Sequence, residues 1–172
     1  FFKQKTAYEI LTCDWSSDVC SSDLCARFKL KKLPMITSST ARMFSRYNAW
    51  ANKVMFDAVA ALPPGEAEKP RTSLFKNMVH TLNHNFVIAR IWQAHLEGRD
   101  HGYTARNTPG HPPLGELWTS QQDLDRWYID WSDKISDGEL GETVRYTLIG
   151  GNQGEMTHGQ ILLHVVNHSS YH

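Results

Sequence analysis

The sequence predicts an all-α fold, an antiparallel four-helix bundle, on three observations. Four segments carry apolar residues at three- and four-residue steps, the repeat of a helix that buries one face. Stretches bearing proline or glycine separate these segments. Strand-like alternation is confined to one short run, 144–149. The chain has 172 residues, the size of one domain with a tail. Hydrophobic residues are 41% and charged residues 21%, enough for a core and unlike a disordered chain.

The first helix is expected from about Ser39 to Leu62, with Thr37 or Ser38 as its cap. Met43, Tyr47, Trp50, Val54, Ala58 and Leu62 form the stripe expected to face the core. Pro63-Pro64-Gly65 stops it, because proline removes an amide donor and restricts the residue before it. The second helix is expected from about Ser73 to Glu97, with Gly98 at its C-terminal end. Leu74, Met78, Leu82, Ile88, Trp92 and Leu96 make much of its inner face. Residues 99–113 read as a loop. A third helix follows, about Leu114 to Ser136, with Leu117, Leu124, Tyr128, Trp131 and Ile135 as its stripe. Val144 to Ile149 leads into Gly150-Gly151-Asn152 and fits a short strand pair or an extended crossover. The fourth helix is expected to start near Thr157 and is still running at His172, cut short there.

The first 34 residues read differently and are expected to be irregular or disordered. All three cysteines, Cys13, Cys20 and Cys25, lie there, whereas all nine histidines lie between His80 and His172. Phe1 to Ile10 and Asp14 to Leu24 resemble the in-frame translation of a short-read sequencing adapter, with a short index, Leu11 to Cys13, between them. A signal peptide does not fit, because no apolar run of about 7–15 residues is present. Residues 1–24 are therefore expected to be an artefact. Residues 25–34, CARFKLKKLP, are expected to be translated upstream sequence or a linker, with Met35 as the true start and 35–172 as the domain.

From Met35 onward the chain holds 12 Lys/Arg and 14 Asp/Glu. This mildly acidic balance opposes nucleic-acid binding. No apolar run reaches the ~18–20 residues of a membrane helix. The lack of cysteine beyond Cys25 suits a reducing cytoplasm.

His164, His168 and His172 are spaced by four, then four, and so lie on one side of a helix, a turn apart. Such a pair can chelate one metal ion, because its imidazole nitrogens converge. The second helix repeats the signal with His80 and His84. Two such helices side by side could bring three or four imidazoles to one point. Glu155-Met156-Thr157-His158 matches a Glu-x-x-His element only once, at a helix start, and reads as coincidence. His95, His101 and His111 are expected to be solvated.

Three segments together resemble the DinB-like proteins, small four-helix bundles named after damage-inducible bacterial genes. They are Tyr47-Asn48-Ala49-Trp50-Ala51-Asn52, Thr81-Leu82-Asn83-His84 with Arg90-Ile91-Trp92, and the run from Leu163 to His172. The resemblance covers Met35 to His172. It implies that His84, His168 and His172 bind a divalent metal ion, zinc or nickel foremost. It gives His164 a place behind these ligands or as an alternative ligand, and it gives His80 no counterpart. Relatives often carry aspartate where Ala89 stands, and they continue their last helix beyond the position of His172. With no helix written beyond it, His172 is expected to fray.

Three histidines leave a coordination position open, the mark of a catalytic rather than a closed zinc site. The resemblance thus implies a metal-dependent hydrolase or thiol S-transferase acting on a small molecule, with no general base that can be named. The alternative is a non-catalytic, metal-binding stress-response bundle. A homodimer is the assembly to expect, as the commonest in general.

Overall fold

The structure is a computed structural model and describes residues 36–172. The readings of residues 1–34 and of Met35 lie outside the described residues. In chain order the elements are α1 (Ser38–Ala60), α2 (Met78–Leu96), α3 (Leu114–Lys134), the single turn α4 (Asp137–Leu140), β1 (Thr143–Thr147), β2 (Gln153–Thr157) and α5 (His158–Tyr171). The protein is mostly helical, and a two-stranded antiparallel hairpin makes the all-α expectation approximate.

The start of α1 is set by Thr37, whose hydroxyl accepts a hydrogen bond from the Thr40 amide at 3.2 Å. Apart from Leu62, which packs against the core beside Phe56 and Val59, the stripe expected to face inward is turned outward. Met43 is 57% exposed, Tyr47 45%, Trp50 60% and Val54 49%, whereas Ala41, Ser45, Asn48, Phe56 and Val59 are buried. The physical reason lies on α3. The Asn52 amide donates to the buried Asp125 carboxylate at 2.8 Å, and Gln121 donates to the same oxygen at 2.9 Å. The pairing of Asn52 and Gln121 with Asp125 therefore sits between α1 and α3, beside the small buried Ala41 and Ser45. Buried polar groups are tolerated when so paired, and the larger apolar stripe is turned outward.

The second helix begins five residues later than expected, because Asn77 caps it by accepting the His80 amide hydrogen bond at 2.7 Å. Lys76 just before the cap has φ 67°, a left-handed conformation that no helix continues through. Leu74, expected on the inner face, is 83% exposed in the turn that precedes the helix. The stripe of α3 is as expected, with Leu117, Leu124 and Tyr128 buried. The Tyr128 hydroxyl donates to the Ala89 carbonyl of α2 at 2.8 Å.

Beyond α3, Ser136 and Glu139 form a capping box that starts α4 as a separate turn. The stretch 144–149 is a strand pair rather than a crossover, its turn carried by Gly150 and Gly151 at φ 99° and 90°. Tyr146 lies opposite Gly154. A Cβ at Gly154 would sit 2.6 Å from the Tyr146 ring, so the absence of a side chain there lets the ring cover the partner strand. A second capping box, Thr157 with Gln160, then launches α5. Ile161, Leu162, Val165 and Val166 bury its inner face against Leu124, Tyr128 and Trp92. Among the described residues no helix is long and apolar enough to cross a membrane.

Candidate metal centre

Of the histidines on α2 and α5, the fold brings together His84, His168 and His172. One ring nitrogen from each lies within 4.8 Å of the others. The closest pair is His84 Nε2 and His168 Nε2, 3.2 Å apart. The His172 ring lies 4.9 Å from that of His84 and 4.6 Å from that of His168, centroid to centroid. His172 is the exposed C-cap of α5, and its amide bonds the His168 carbonyl at 3.3 Å. Phe75, in the turn before α2, stacks on His84 at 4.2 Å and meets His172 edge-on at 5.5 Å. Sequence reasoning missed Phe75, because it lies inside the expected second helix but off the apolar stripe read for it.

The loop between α2 and α3 fixes the His84 tautomer. Asn83 donates to the Thr108 hydroxyl at 2.7 Å, and Asn107 donates to the His80 carbonyl at 3.2 Å. So held, the loop presents the Arg106 carbonyl to His84 Nδ1 at 2.8 Å. A carbonyl can only accept, so the proton is on Nδ1 and Nε2 keeps its lone pair. A backbone carbonyl on the far nitrogen is the usual support of a metal-ligating histidine. The lone pair faces His168 Nε2. Two ligand nitrogens at ~2.0–2.1 Å from a tetrahedral zinc lie roughly 3.3 Å apart. The observed separation therefore fits a shared cation as well as it fits a hydrogen bond.

Burial sets the charge of the cluster. It pushes His168 down to about 3, with His172, His84 and His164 adding to the effect. Burial also lowers His84, against the opposing pull of the Arg106 carbonyl, and it lowers His172. The rings are thus neutral near pH 7, which is the form that binds metal. His172 also borders a groove of about 630 Å³ between α1 and α2, whose walls include Asn48, Asn52, Met55, Thr81 and Asn85.

The other histidines are placed elsewhere. His164 stacks on His168 at 6.0 Å and meets Trp92 edge-on at 4.9 Å, outside the group of three, with its pKa lowered by burial. His80 donates from Nε2 to the Thr108 carbonyl at 3.3 Å. His158 donates to the Glu139 carbonyl at 2.8 Å, and Glu155 is exposed opposite Arg145, so the Glu-x-x-His match holds nothing. His111 accepts from Asn77 at 3.3 Å, and His101 accepts from the Tyr103 amide at 2.9 Å.

His95 is not solvated. It is 6% exposed, packed among Trp92, Tyr146 and His101, and burial pushes it down to about 4. The signal was present in the sequence, since eleven residues from His84 return to nearly the same helix face. Ala89 is buried, and its carbonyl is taken by Tyr128.

The fold and site thus define a mostly helical protein in which two helices gather three neutral histidines that could hold a metal ion. The chain belongs to the DinB family, whose model matches residues 35–172, and the family has metal-binding members. A search of curated proteins returned no match.

Proposed function

We propose that His84, His168 and His172 hold one divalent metal ion, zinc or nickel, in a four-helix bundle formed by α1, α2, α3 and α5, and that the chain acts on a small molecule as a metal-dependent hydrolase or thiol S-transferase. The observation that carries this reading is the pair of Nε2 atoms 3.2 Å apart, one with its proton pinned to the far side by Arg106. Hydrogen-bond economy alone gives no reason to gather three imidazoles here, with the buried His84 and the half-buried His168 costing free energy to desolvate.

A metal bound there would lower the pKa of a water or thiol in its open position, supplying a nucleophile near neutral pH. The chain's own residues then have two tasks. Arg106 orients His84, and Phe75 excludes water from one side of the ring pair.

The second reading is a non-catalytic metal-binding bundle of a stress response, in which the ion staples α2 to α5. It is favoured by the make-up of the group, which contains no carboxylate to act as a base. Cobalt substitution separates the two. A visible spectrum that shifts with azide or a small thiol supports an open, reactive centre, and thiol- or ester-dependent turnover that vanishes with chelator then supports the enzyme. A spectrum indifferent to both ligands supports the staple. Cobalt that fails to bind the wild-type chain refutes both. We place the protein in the cytoplasm on its cysteine distribution, with neither nucleic acid nor membrane as partner.

A further inference from the structure

Between Glu97 and Pro113 no residue is buried. Apolar burial therefore does little to hold the loop between α2 and α3, which bows over a hollow of about 330 Å³ lined by its own residues. What fixes the loop is polar. Three consecutive residues, Arg106, Asn107 and Thr108, bond to one face of α2, where His80, Asn83 and His84 stand at i, i+3 and i+4. Asn83 is the centre of this clamp. It is 2% exposed, and both protons of its amide are used, one on Asn107 Oδ1 at 2.5 Å and one on the Thr108 hydroxyl at 2.7 Å. Asn107 Oδ1 also accepts from the Thr108 amide at 3.0 Å, and the Thr108 hydroxyl donates onward to the Gly110 carbonyl. One buried side chain on the helix thus orders two neighbouring residues of an otherwise exposed loop.

Arg106 directly precedes that pair, and its carbonyl keeps the His84 proton on Nδ1. Without the carbonyl the proton is free to sit on Nε2 and be donated to His168 across the 3.2 Å gap. A metal ion would first have to displace it. We propose that Asn83 is a positioning residue of the metal centre: by anchoring Asn107 and Thr108 it holds the Arg106 carbonyl on His84, and so sets metal affinity. The inference rests on the metal reading above and adds to it that Asn83 acts through the loop rather than on the ion. The coupling is reciprocal, so an ion at His84 favours the docked loop by the same factor.

The test uses the full chain, with Asn83→Ala, Asn107→Ala and His84→Gln alongside. Long-range proton–nitrogen correlation without metal at pH 7.5 reads which ring nitrogen carries the proton, and the His84 signals are those lost in His84→Gln. Wild type is expected with Nδ1 protonated and Nε2 bare. Asn83→Ala and Asn107→Ala are expected with the proton shared between the two nitrogens and with unchanged helical circular dichroism. In competition with a chromophoric chelator, both should bind zinc roughly ten- to a hundredfold more weakly than wild type. Should Asn83→Ala lose its helical signal, Asn107→Ala decides, since its side chain belongs to the loop. A folded variant that keeps the proton on Nδ1, or that binds zinc within about twofold of wild type, overturns this proposal alone. A wild type that binds no zinc overturns the metal reading and this proposal with it.

Discussion

His168→Ala removes one imidazole from the candidate centre and leaves His84 and His172 in place. Four-ligand structural zinc sites bind with about 10–16 kcal/mol, roughly 3–4 kcal/mol per ligand. Losing one ligand of three should therefore weaken zinc or nickel binding by about a hundred- to a thousandfold. The metal-free protein should change far less. His168 touches His84 at 3.2 Å and stacks near His164 at 6.0 Å, so its loss costs about 1–2 kcal/mol of packing. Two assays separate these effects at pH 7.5: competition against a chromophoric chelator, and urea unfolding with and without metal. Wild type should gain about 2.7 kcal/mol at a hundredfold excess of metal over its dissociation constant, and the variant almost nothing. Binding by His168→Ala within threefold of wild type, or a wild type that gains no stability from metal, would refute the reasoning.

Three further outcomes follow from the same geometry. Burial is the largest cause lowering His84, His95, His164, His168 and His172, with His168 held at about 3 and His95 at about 4. The unfolded chain, with histidines near 6.5, binds more protons across the window from about 6.5 down to about 3, so stability rises with pH there and is lost on acidification. Urea midpoints of the metal-free protein should fall between pH 7.5 and pH 5, and equal midpoints would contradict the assignment. Asp125 runs the other way. Burial raises it to about 6, so the stability its proton confers is full below its unfolded value of 3.8 and is lost as pH rises through about 6. Asp125→Asn keeps an acceptor for Asn52 and Gln121 and cannot ionise. It should exceed wild type by about 1–3 kcal/mol at pH 8 and match it at pH 4, with no gain at pH 8 counting against a desolvated carboxylate. Gly154→Ala puts a methyl 2.6 Å from a Tyr146 ring that Trp92 and His95 hold at 4.9 and 5.0 Å. It should cost about 1–3 kcal/mol in thermal unfolding, and an unchanged Tm would show that the ring moves aside freely.

The sequence makes the helices legible because caps and breakers act locally. Thr37, Thr157 and Pro63 need only their neighbours to mark a boundary. The start of α2 was misjudged for the same reason in reverse: apolar Leu74 continued the pattern, while Asn77 and the left-handed Lys76 decided the outcome. The facing of α1 was not legible. Periodicity reports that a helix has an apolar side, but not whether that side meets the core. The deciding partner was Asp125, seventy-three residues away, which drew Asn52 inward. His95 was legible in part: its spacing from His84 places it on the same face of α2, whereas the ring that covers it, Tyr146, comes from the hairpin.

The choice among the histidines of α5 shows where the site's specificity is written. His164, His168 and His172 are equivalent by spacing, and two overlapping chelating pairs are available along the helix. Nothing within α5 prefers the second pair over the first. The preference comes from α2, which lays His84 against His168 and Trp92 against His164. A metal ion shared by His164 and His168 would meet an indole where a third ligand is needed, and indole nitrogen carries only a proton to donate. On the other side of His168, the same helix supplies His84 with its lone pair free. Phe75 there stacks on His84 at 4.2 Å. The candidate centre is therefore a property of the helix pair. The ring on α2 that faces each histidine decides whether that histidine can serve as a ligand or is confined to packing.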